Sequence, residues 1–159
     1  MQTPVPPTPA DPAAAEPPRV EFRVGLGDVL GYCCALLRSA TAKGARPVVC
    51  GPAPAIEELD QRLWTFAPAE FLPHCRVGDA LEGRSPIVLS AHPDIEGLRG
   101  RDCLVNLGPS LVQGWRRVPR VIELVGADDA AKASARQRFR VYRDGGCAPR
   151  TLETGHEAR

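Results

Sequence analysis

The spacing of apolar residues predicts a strand followed by a helix at the start of the folded region. Val20, Phe22 and Val24 alternate with polar neighbours, which is the period of a half-buried strand. After a Gly-rich turn, Asp28 precedes apolar residues at helical spacing, the position that an N-cap takes. Gly44 ends this helical pattern.

The alternation of strand and helix continues along the chain. Residues 46–50 are typical of a short buried strand, and residues 55–64 place apolar side chains on one side of a helix. A last helix is predicted from Asp128 to Arg143. Three further apolar runs predict strands at 87–89, 103–107 and 121–125. This order indicates an α/β fold: a single domain with a mixed, mostly parallel sheet flanked by helices.

Length and composition place one domain in the middle of the chain. The 159 residues, 43% of them hydrophobic, suffice for one ordinary globular domain but not for two. Residues 1–18 are rich in Pro and Ala, and we expect a disordered tail there. We expect the domain over residues 19–147 and a flexible, polar C-terminal tail over residues 148–159.

The charges nearly cancel, which argues against a global electrostatic field as the basis of function. The sequence has 20 Lys and Arg against 19 Asp and Glu, so electrostatic binding must come from a local patch. No stretch has the length and apolarity of a membrane helix, and the first residues lack the pattern of a signal peptide. We therefore expect a cytoplasmic protein without membrane contact. The six cysteines form no CxxC pair and are expected to be structural thiols.

The turn at residues 25–31 lies where dinucleotide-binding folds hold a pyrophosphate, but it departs from their fingerprint. Leu30 stands in place of the third glycine, and Gly51 stands where an acidic residue would bind the ribose. The Asp28 carboxylate would also compete with phosphate for the same N–H groups. We expect a Rossmann-like fold without a functional dinucleotide site, and no cofactor.

Candidates for nucleophilic catalysis are few. His74 lies beside Cys75, and Ser90, His92 and Asp94 form a short cluster, but proximity in sequence does not show that the groups converge in space. The HExxH, GxSxG and GxxxxGK[ST] motifs are absent. We expect no catalytic residues, no metal site and no enzymatic activity.

The last helix carries a row of cations. Lys132, Arg136, Arg140 and Arg143 fall within an arc of about 80°, and Phe139 borders that arc. A row of cations beside an aromatic ring suits an acidic peptide or a phosphate backbone. The alternative interpretation is a solvated face, enriched in Arg by coding bias.

The opposite side of this helix is small and apolar, and it includes Ala135, Val141 and Tyr142. Arg138 points into that side. We expect Arg138 to pair with a buried or half-buried carboxylate in a structural role.

Aromatic residues concentrate in one segment. Trp64, Phe66 and Phe71 lie at a helix end and in a Pro-containing loop. They either close the core or leave an apolar patch for a partner, and residue chemistry alone favours neither.

These residues resemble a family, the chi subunit of bacterial DNA polymerase III, which belongs to the clamp-loader complex. The resemblance lies in three motifs and extends from about residue 20 to residue 146. The motifs are Leu59-Asp60-x-x-Leu63-Trp64 followed by Phe71-Leu72-Pro73-His74, the basic helix from Lys132 to Arg143, and Arg101-Asp102 before a strand.

The resemblance implies a non-catalytic adaptor with two protein partners, which reaches DNA only indirectly. One partner is the acidic, Phe-terminated tail of single-stranded-DNA-binding protein, and its implied site comprises Val125, Lys132, Arg136, Phe139 and Arg140. The other is the psi subunit, and its implied site comprises Trp64, Phe71, Leu72 and Pro73.

Two other functions stay open at this point. The basic helix could bind single-stranded nucleic acid directly, with Phe139 and Tyr142 as stacking platforms. A dinucleotide-dependent enzyme is the less favoured alternative.

Overall fold

In the computed structural model, which describes residues 16–66 and 72–154, seven strands and three α-helices follow one another along the described chain. A short 3-10 helix, Trp115–Arg117, precedes β6. The elements are β1 (Arg19–Leu26), α1 (Val29–Ala42), β2 (Pro47–Cys50), α2 (Ala53–Thr65), β3 (His74–Arg76), β4 (Ile87–Ser90), β5 (Cys103–Asn106), β6 (Arg120–Gly126), α3 (Asp129–Asp144) and β7 (Arg150–Glu153).

The strands form one sheet in the order β3-β4-β2-β5-β6-β1-β7. Every strand pair in it is parallel, which confirms the α/β prediction and makes the sheet parallel throughout rather than mixed. The four-residue strands β2, β4 and β5 are buried along their whole length, as expected for strands covered on both faces.

Helices cover both faces of the sheet and create two cores. The helices α1 and α2 bury Leu37, Ile56 and Leu59 against one face. On the other face, α3 buries Tyr142 beside Phe22 and Trp115. The surface that α3 shares with β1 and β7 is therefore separated by the sheet from the surface that α2 presents.

Two aspartates are the N-caps of α1 and α3, as the sequence predicts. Asp28 accepts a hydrogen bond from the Gly31 N–H at 3.1 Å, and Asp128 accepts one from the Ala131 N–H at 3.1 Å. Each carboxylate satisfies one of the N–H groups that a helix start leaves unpaired.

The Arg101-Asp102 pair holds the amino ends of β2, β4 and β5 together. The buried Arg101 guanidinium donates to the carbonyl oxygens of Ser85 and Pro86, both at 2.9 Å. Asp102 accepts from the Arg46 N–H at 2.8 Å. This motif is structural.

The C-terminal segment differs from the expected flexible tail. Arg150–Glu153 forms β7 and pairs with β1, with Phe22 opposite Thr151 and Val24 opposite Glu153. All four of its side chains are exposed and only Leu152 is apolar, so main-chain hydrogen bonds rather than burial hold the strand, and hydrophobic patterning could not reveal it. Residues 155–159, and residues 1–15 of the expected N-terminal tail, lie outside the described residues.

Candidate functional site

A basic pocket of about 450 Å³ lies between α3 and the strands β1 and β7. We use the name basic pocket for the cavity lined by Phe22, Val24, Val125, Lys132, Ala135, Arg136, Phe139, Arg140, Arg143, Thr151 and Glu153. All five residues that the resemblance implies for the peptide-tail site line this one cavity.

Helix geometry explains why the basic residues converge. Lys132, Arg136 and Arg140 are four residues apart on α3, and this spacing stacks their side chains along one face of the helix. Phe139 adjoins Arg140 on the same side. The row predicted from the sequence is thus one wall of the pocket.

The floor of the pocket is apolar. Phe22 and Val125 are buried core residues on β1 and β6, and Phe139 is half-buried above them. The ring centroids of Phe22 and Phe139 lie 5.5 Å apart, with the ring planes tilted by 47°. An inserted aromatic or aliphatic side chain would therefore meet two rings and a valine.

The wall of the pocket carries uncompensated positive charge. Lys132, Arg136 and Arg140 are exposed, and none of them is in an ion pair with a residue of the described chain. Arg143 has an acidic neighbour, with its Nε 3.5 Å from Asp144 Oδ1. Three cations consequently face the cavity without an anionic partner from the described fold.

Sequence reasoning missed the contribution of β7 to the pocket. Thr151 and Glu153 line the side opposite α3, and Glu153 is the acidic residue among the described lining residues. Neither Thr151 nor Glu153 is among the site residues predicted from the sequence, because the segment was expected to be a flexible tail.

Below the pocket, Arg138 pairs with a buried carboxylate, as predicted from the sequence. Its Nε donates to Glu123 Oε1 at 3.0 Å, and Tyr142 Oη donates to Glu123 Oε2 at 2.6 Å. Asn106 Nδ2 donates to the same carboxylate at 3.0 Å. These bonds attach α3 to β5 and β6.

Tyr142 and Val141 differ from their predicted roles. Tyr142 is 0% exposed, so it cannot act as a stacking platform for nucleic-acid bases. Burial raises the pKa of Tyr142, which keeps its hydroxyl protonated as a donor to Glu123. Val141 is exposed, because the buried stripe of α3 runs through Ala135, Arg138 and Tyr142 instead.

A second surface, the Trp64 surface, consists of Trp64, Phe66 and Pro73. Trp64 is 58% exposed at the end of α2, and Phe66 is 37% exposed. Pro73 is exposed, whereas Leu72 is only 7% exposed and packs in the core, so little of its side chain is available to the predicted partner. Phe71 lies outside the described residues.

His74 supports the Trp64 surface and does not form a catalytic pair. Its Nδ1 lies 2.8 Å from the Leu72 carbonyl oxygen, and its Nε2 lies 2.8 Å from Asp60 Oδ1. The carbonyl can only accept, so Nδ1 carries a proton. The Trp64 and His74 ring centroids are 4.8 Å apart. Burial raises the pKa of the neighbouring Cys75 thiol, which disfavours a nucleophilic thiolate.

The cluster of Ser90, His92 and Asp94 stabilises a loop. Ser90 Oγ donates to the His92 carbonyl oxygen at 3.1 Å and accepts from the His92 N–H at 3.2 Å. Asp94 Oδ1 accepts from the Glu96 N–H at 2.8 Å. The Ser90 hydroxyl and the Asp94 carboxylate are thus engaged with the main chain, and Ser90 contacts the main chain of His92 rather than its imidazole.

The carboxylate of Asp28 occupies the space at the N-terminus of α1. A Cβ on Gly31 would lie 2.9 Å from Asp28 Cγ, which shows how closely the carboxylate covers the helix start. The hydrogen bond from Gly31 and the charge of Arg62 hold the pKa of Asp28 below its usual value. An ionised carboxylate thus occupies the place where a dinucleotide phosphate would bind.

All six cysteines are unpaired thiols, as expected. Burial raises the pKa of Cys34 to about 11 and that of Cys50 to about 12. Within residues 16–66 and 72–154, no three His, Cys, Asp or Glu side chains are placed to hold a metal ion. Among the described helices, none combines the length and the apolarity needed to cross a membrane.

Comparisons with known proteins cover most of the chain. Residues 18–150 match the family described as DNA polymerase III chi subunit, HolC. The DNA polymerase III subunit chi of Haemophilus influenzae is 32% identical over 111 residues, which cover 69% of this chain and 76% of that protein. The subunit chi of Escherichia coli K12 is 28% identical over 123 residues (77% and 83%), and that of Pseudomonas aeruginosa is 32% identical over 121 residues (74% and 80%). The match to the family spans β1 to α3 and reaches the first residue of β7.

Proposed function

This chain belongs to the DNA polymerase III chi subunit family of replication accessory proteins, and we propose that it links the clamp loader to single-stranded-DNA-binding protein. In this proposal the basic pocket binds the acidic C-terminal tail of single-stranded-DNA-binding protein, and the Trp64 surface binds the psi subunit. The protein would then reach DNA only through its partners and act in the cytoplasm, where replication takes place.

The basic pocket supports this proposal through its combination of charge and apolar floor. An acidic tail that ends in phenylalanine has carboxylates for Lys132, Arg136 and Arg140, and a ring for the apolar floor. Charge-assisted hydrogen bonds to carboxylates are stronger than neutral ones, and one inserted ring adds apolar burial. The observation that carries the proposal is the convergence of these cations and Phe139 on one cavity.

The Trp64 surface supports the second part of the proposal. An exposed tryptophan beside an exposed phenylalanine is more typical of a protein interface than of free surface. His74 and Asp60 hold the chain at this surface, so a partner would meet prepositioned side chains.

A non-catalytic role agrees with the engaged state of the candidate catalytic groups. The Ser90 hydroxyl and the Asp94 carboxylate form hydrogen bonds within a loop, and the His74 ring is bonded to Asp60 and to a carbonyl oxygen. We propose that the chain contributes binding surfaces, and no chemistry, to the polymerase assembly.

Titration with a short acidic peptide ending in Pro-Phe tests the tail-binding site. We expect saturable binding by calorimetry, weakened when the peptide is amidated at its C-terminus. Lys132→Ala or Arg136→Ala should each cost about 1–2 kcal/mol of binding free energy. Lys43→Ala removes an exposed cation outside the pocket and is the matched control, with affinity expected to stay at the wild-type value.

The opposite results would support the rival functions. Tight binding of naked single-stranded DNA with a steep salt dependence, and no peptide binding, would indicate a direct nucleic-acid binder. A rise in melting temperature with NAD or NADP would indicate a dinucleotide site.

A further inference from the structure

The outer edge of β7 carries main-chain groups without a strand partner among the described residues. β7 is the last strand of the sheet, and β1 is its neighbour on the inner side. The Thr154 N–H donates to the Val24 carbonyl oxygen at 3.1 Å, so Thr154 faces β1. In a parallel strand the N–H and C=O of one residue point to the same side, and successive residues alternate. Thr151 and Glu153 therefore direct their N–H and C=O groups away from β1.

The same two residues line the basic pocket. The side chains of Thr151 and Glu153 reach the cavity under α3, while their main-chain groups lie along its open edge. A chain extended beside β7 would place every second side chain on the α3 side of the sheet. Such a chain would form main-chain hydrogen bonds and fill the pocket at the same time.

We propose that the acidic, aromatic-terminated tail binds as an eighth strand along β7, with hydrogen bonds to the main chain of Thr151 and Glu153. Its alternate side chains then enter the basic pocket, and its carboxylates meet the α3 cations. Strand addition of this kind takes affinity from main-chain bonds and specificity from pockets for alternate side chains.

The positive charge beside this edge favours an acidic strand, rather than a second copy of the chain, as the occupant. The edge lies next to Lys132, Arg136 and Arg140, none of which pairs with an acidic group of the described chain. A second β7 along the same edge would bring a second set of these cations near the first, and like charges repel. An acidic strand supplies the missing negative charge.

This inference rests on the proposed function, and its test separates the two. Amide hydrogen exchange by NMR is measured on the whole protein, free and saturated with the acidic peptide ending in Pro-Phe. We expect exchange at Thr151 and Glu153 to slow at least tenfold on binding. The Leu152 N–H faces β1 and is the internal control, with no change expected.

A pair of variants tests the main-chain donor directly. Thr151→Pro removes an outward N–H from an edge strand, where proline is tolerated, and we expect peptide affinity to fall about fivefold or more. Thr151→Val keeps the N–H and the side-chain volume, so it measures the contribution of the side-chain hydroxyl alone, and we expect Thr151→Pro to bind the peptide more weakly than Thr151→Val. Far-ultraviolet circular dichroism and melting temperature verify that both variants keep the fold.

Three other outcomes would contradict the inference. Peptide binding with unchanged exchange at Thr151 and Glu153, and equal affinity of both variants, would overturn the strand-addition mode and leave the proposed function standing. Protection of these amides in the free protein would show that the edge is already covered and would also overturn the inference. Absence of peptide binding would overturn the proposed function and the inference with it.

Discussion

Arg138 Nε donates to Glu123 Oε1 at 3.0 Å, and both side chains are buried between α3 and the sheet. Arg138 Nη1 also donates to the Pro109 carbonyl oxygen at 2.7 Å, which ties the loop after β5 to the helix. This ion pair fixes the position of α3 on β6. The basic pocket between α3 and the strands β1 and β7 depends on that position, because Lys132, Arg136 and Arg140 project from the same helix.

Arg138→Met should strongly destabilise the fold. The substitution leaves the Glu123 carboxylate buried without its cation, and breaking one side of a buried pair costs about 3–5 kcal/mol. Urea denaturation measures this loss in the free energy of unfolding. Arg140→Met, on the exposed side of the same helix, should change the stability by no more than about 0.5 kcal/mol. Equal effects of the two substitutions would show that the pair does not hold α3.

Trp64→Ala and Leu63→Ala should separate partner binding from folding. Trp64 is 58% exposed, so its removal should leave the melting temperature nearly unchanged while abolishing co-purification with the cognate psi subunit. Leu63 is 3% exposed on the same helix, and Leu63→Ala should cost about 2–5 kcal/mol of stability. Loss of the fold on Trp64→Ala would assign Trp64 to the core.

The N-cap Asp28 should contribute stability that depends on pH. The pKa of Asp28 lies below the ordinary value of 3.8 because of the Gly31 hydrogen bond and Arg62. An acid whose pKa is lowered in the folded state contributes its full stabilisation at pH values above its ordinary pKa. The contribution is lost as the pH falls through the lowered pKa of the folded state. Asp28→Ala should therefore cost about 1 kcal/mol at pH 7.

Urea unfolding of wild type and Asp28→Ala from pH 7 to pH 3 checks this dependence. The difference between the two proteins should stay constant down to about pH 5 and shrink below pH 4. A difference that grows on acidification would contradict the assigned hydrogen bond and ion pair.

Glu153→Gln should strengthen binding of the acidic peptide. Glu153 lines the basic pocket opposite the α3 cations, and its negative charge repels an acidic ligand. Removal of that charge should raise the affinity about two- to fivefold at low salt, and less at high salt. Glu96→Gln, an exposed acid outside the pocket, is the control for overall charge. An unchanged affinity in Glu153→Gln would place the acidic ligand elsewhere.

Most of the fold could be predicted from the sequence because its signals are local. The strands β2, β4, β5 and β6 are apolar runs, and Asp28 and Asp128 are recognisable N-caps. The pairing of Arg138 with a buried carboxylate could be expected as well, because a charge on the apolar side of a helix needs a partner. That Glu123 is this partner could not be predicted, because Glu123 lies on a different element, β6.

Other features were decided by the tertiary structure. The strand β7 is exposed along its whole length, and it exists because the edge of β1 offers main-chain partners, which no side-chain pattern reports. Leu72 is buried because it packs into the core cluster that also holds Leu59 and Leu63. Val141 is exposed because the buried stripe of α3, which includes Arg138, is narrower than the apolar side of the helix suggests.

The sequence by itself determined the cations of α3, their spacing and the ring beside them, because helical periodicity is a local property. Only the tertiary structure decided that these side chains face an apolar floor from β1 and β6 and an open strand edge at β7. Those contributions come from residues more than a hundred positions away from each other, Phe22 and Thr151 among them. Parallel pairing brings such distant segments together, and the interaction that does so is the main-chain hydrogen bond, which is the same for every sequence.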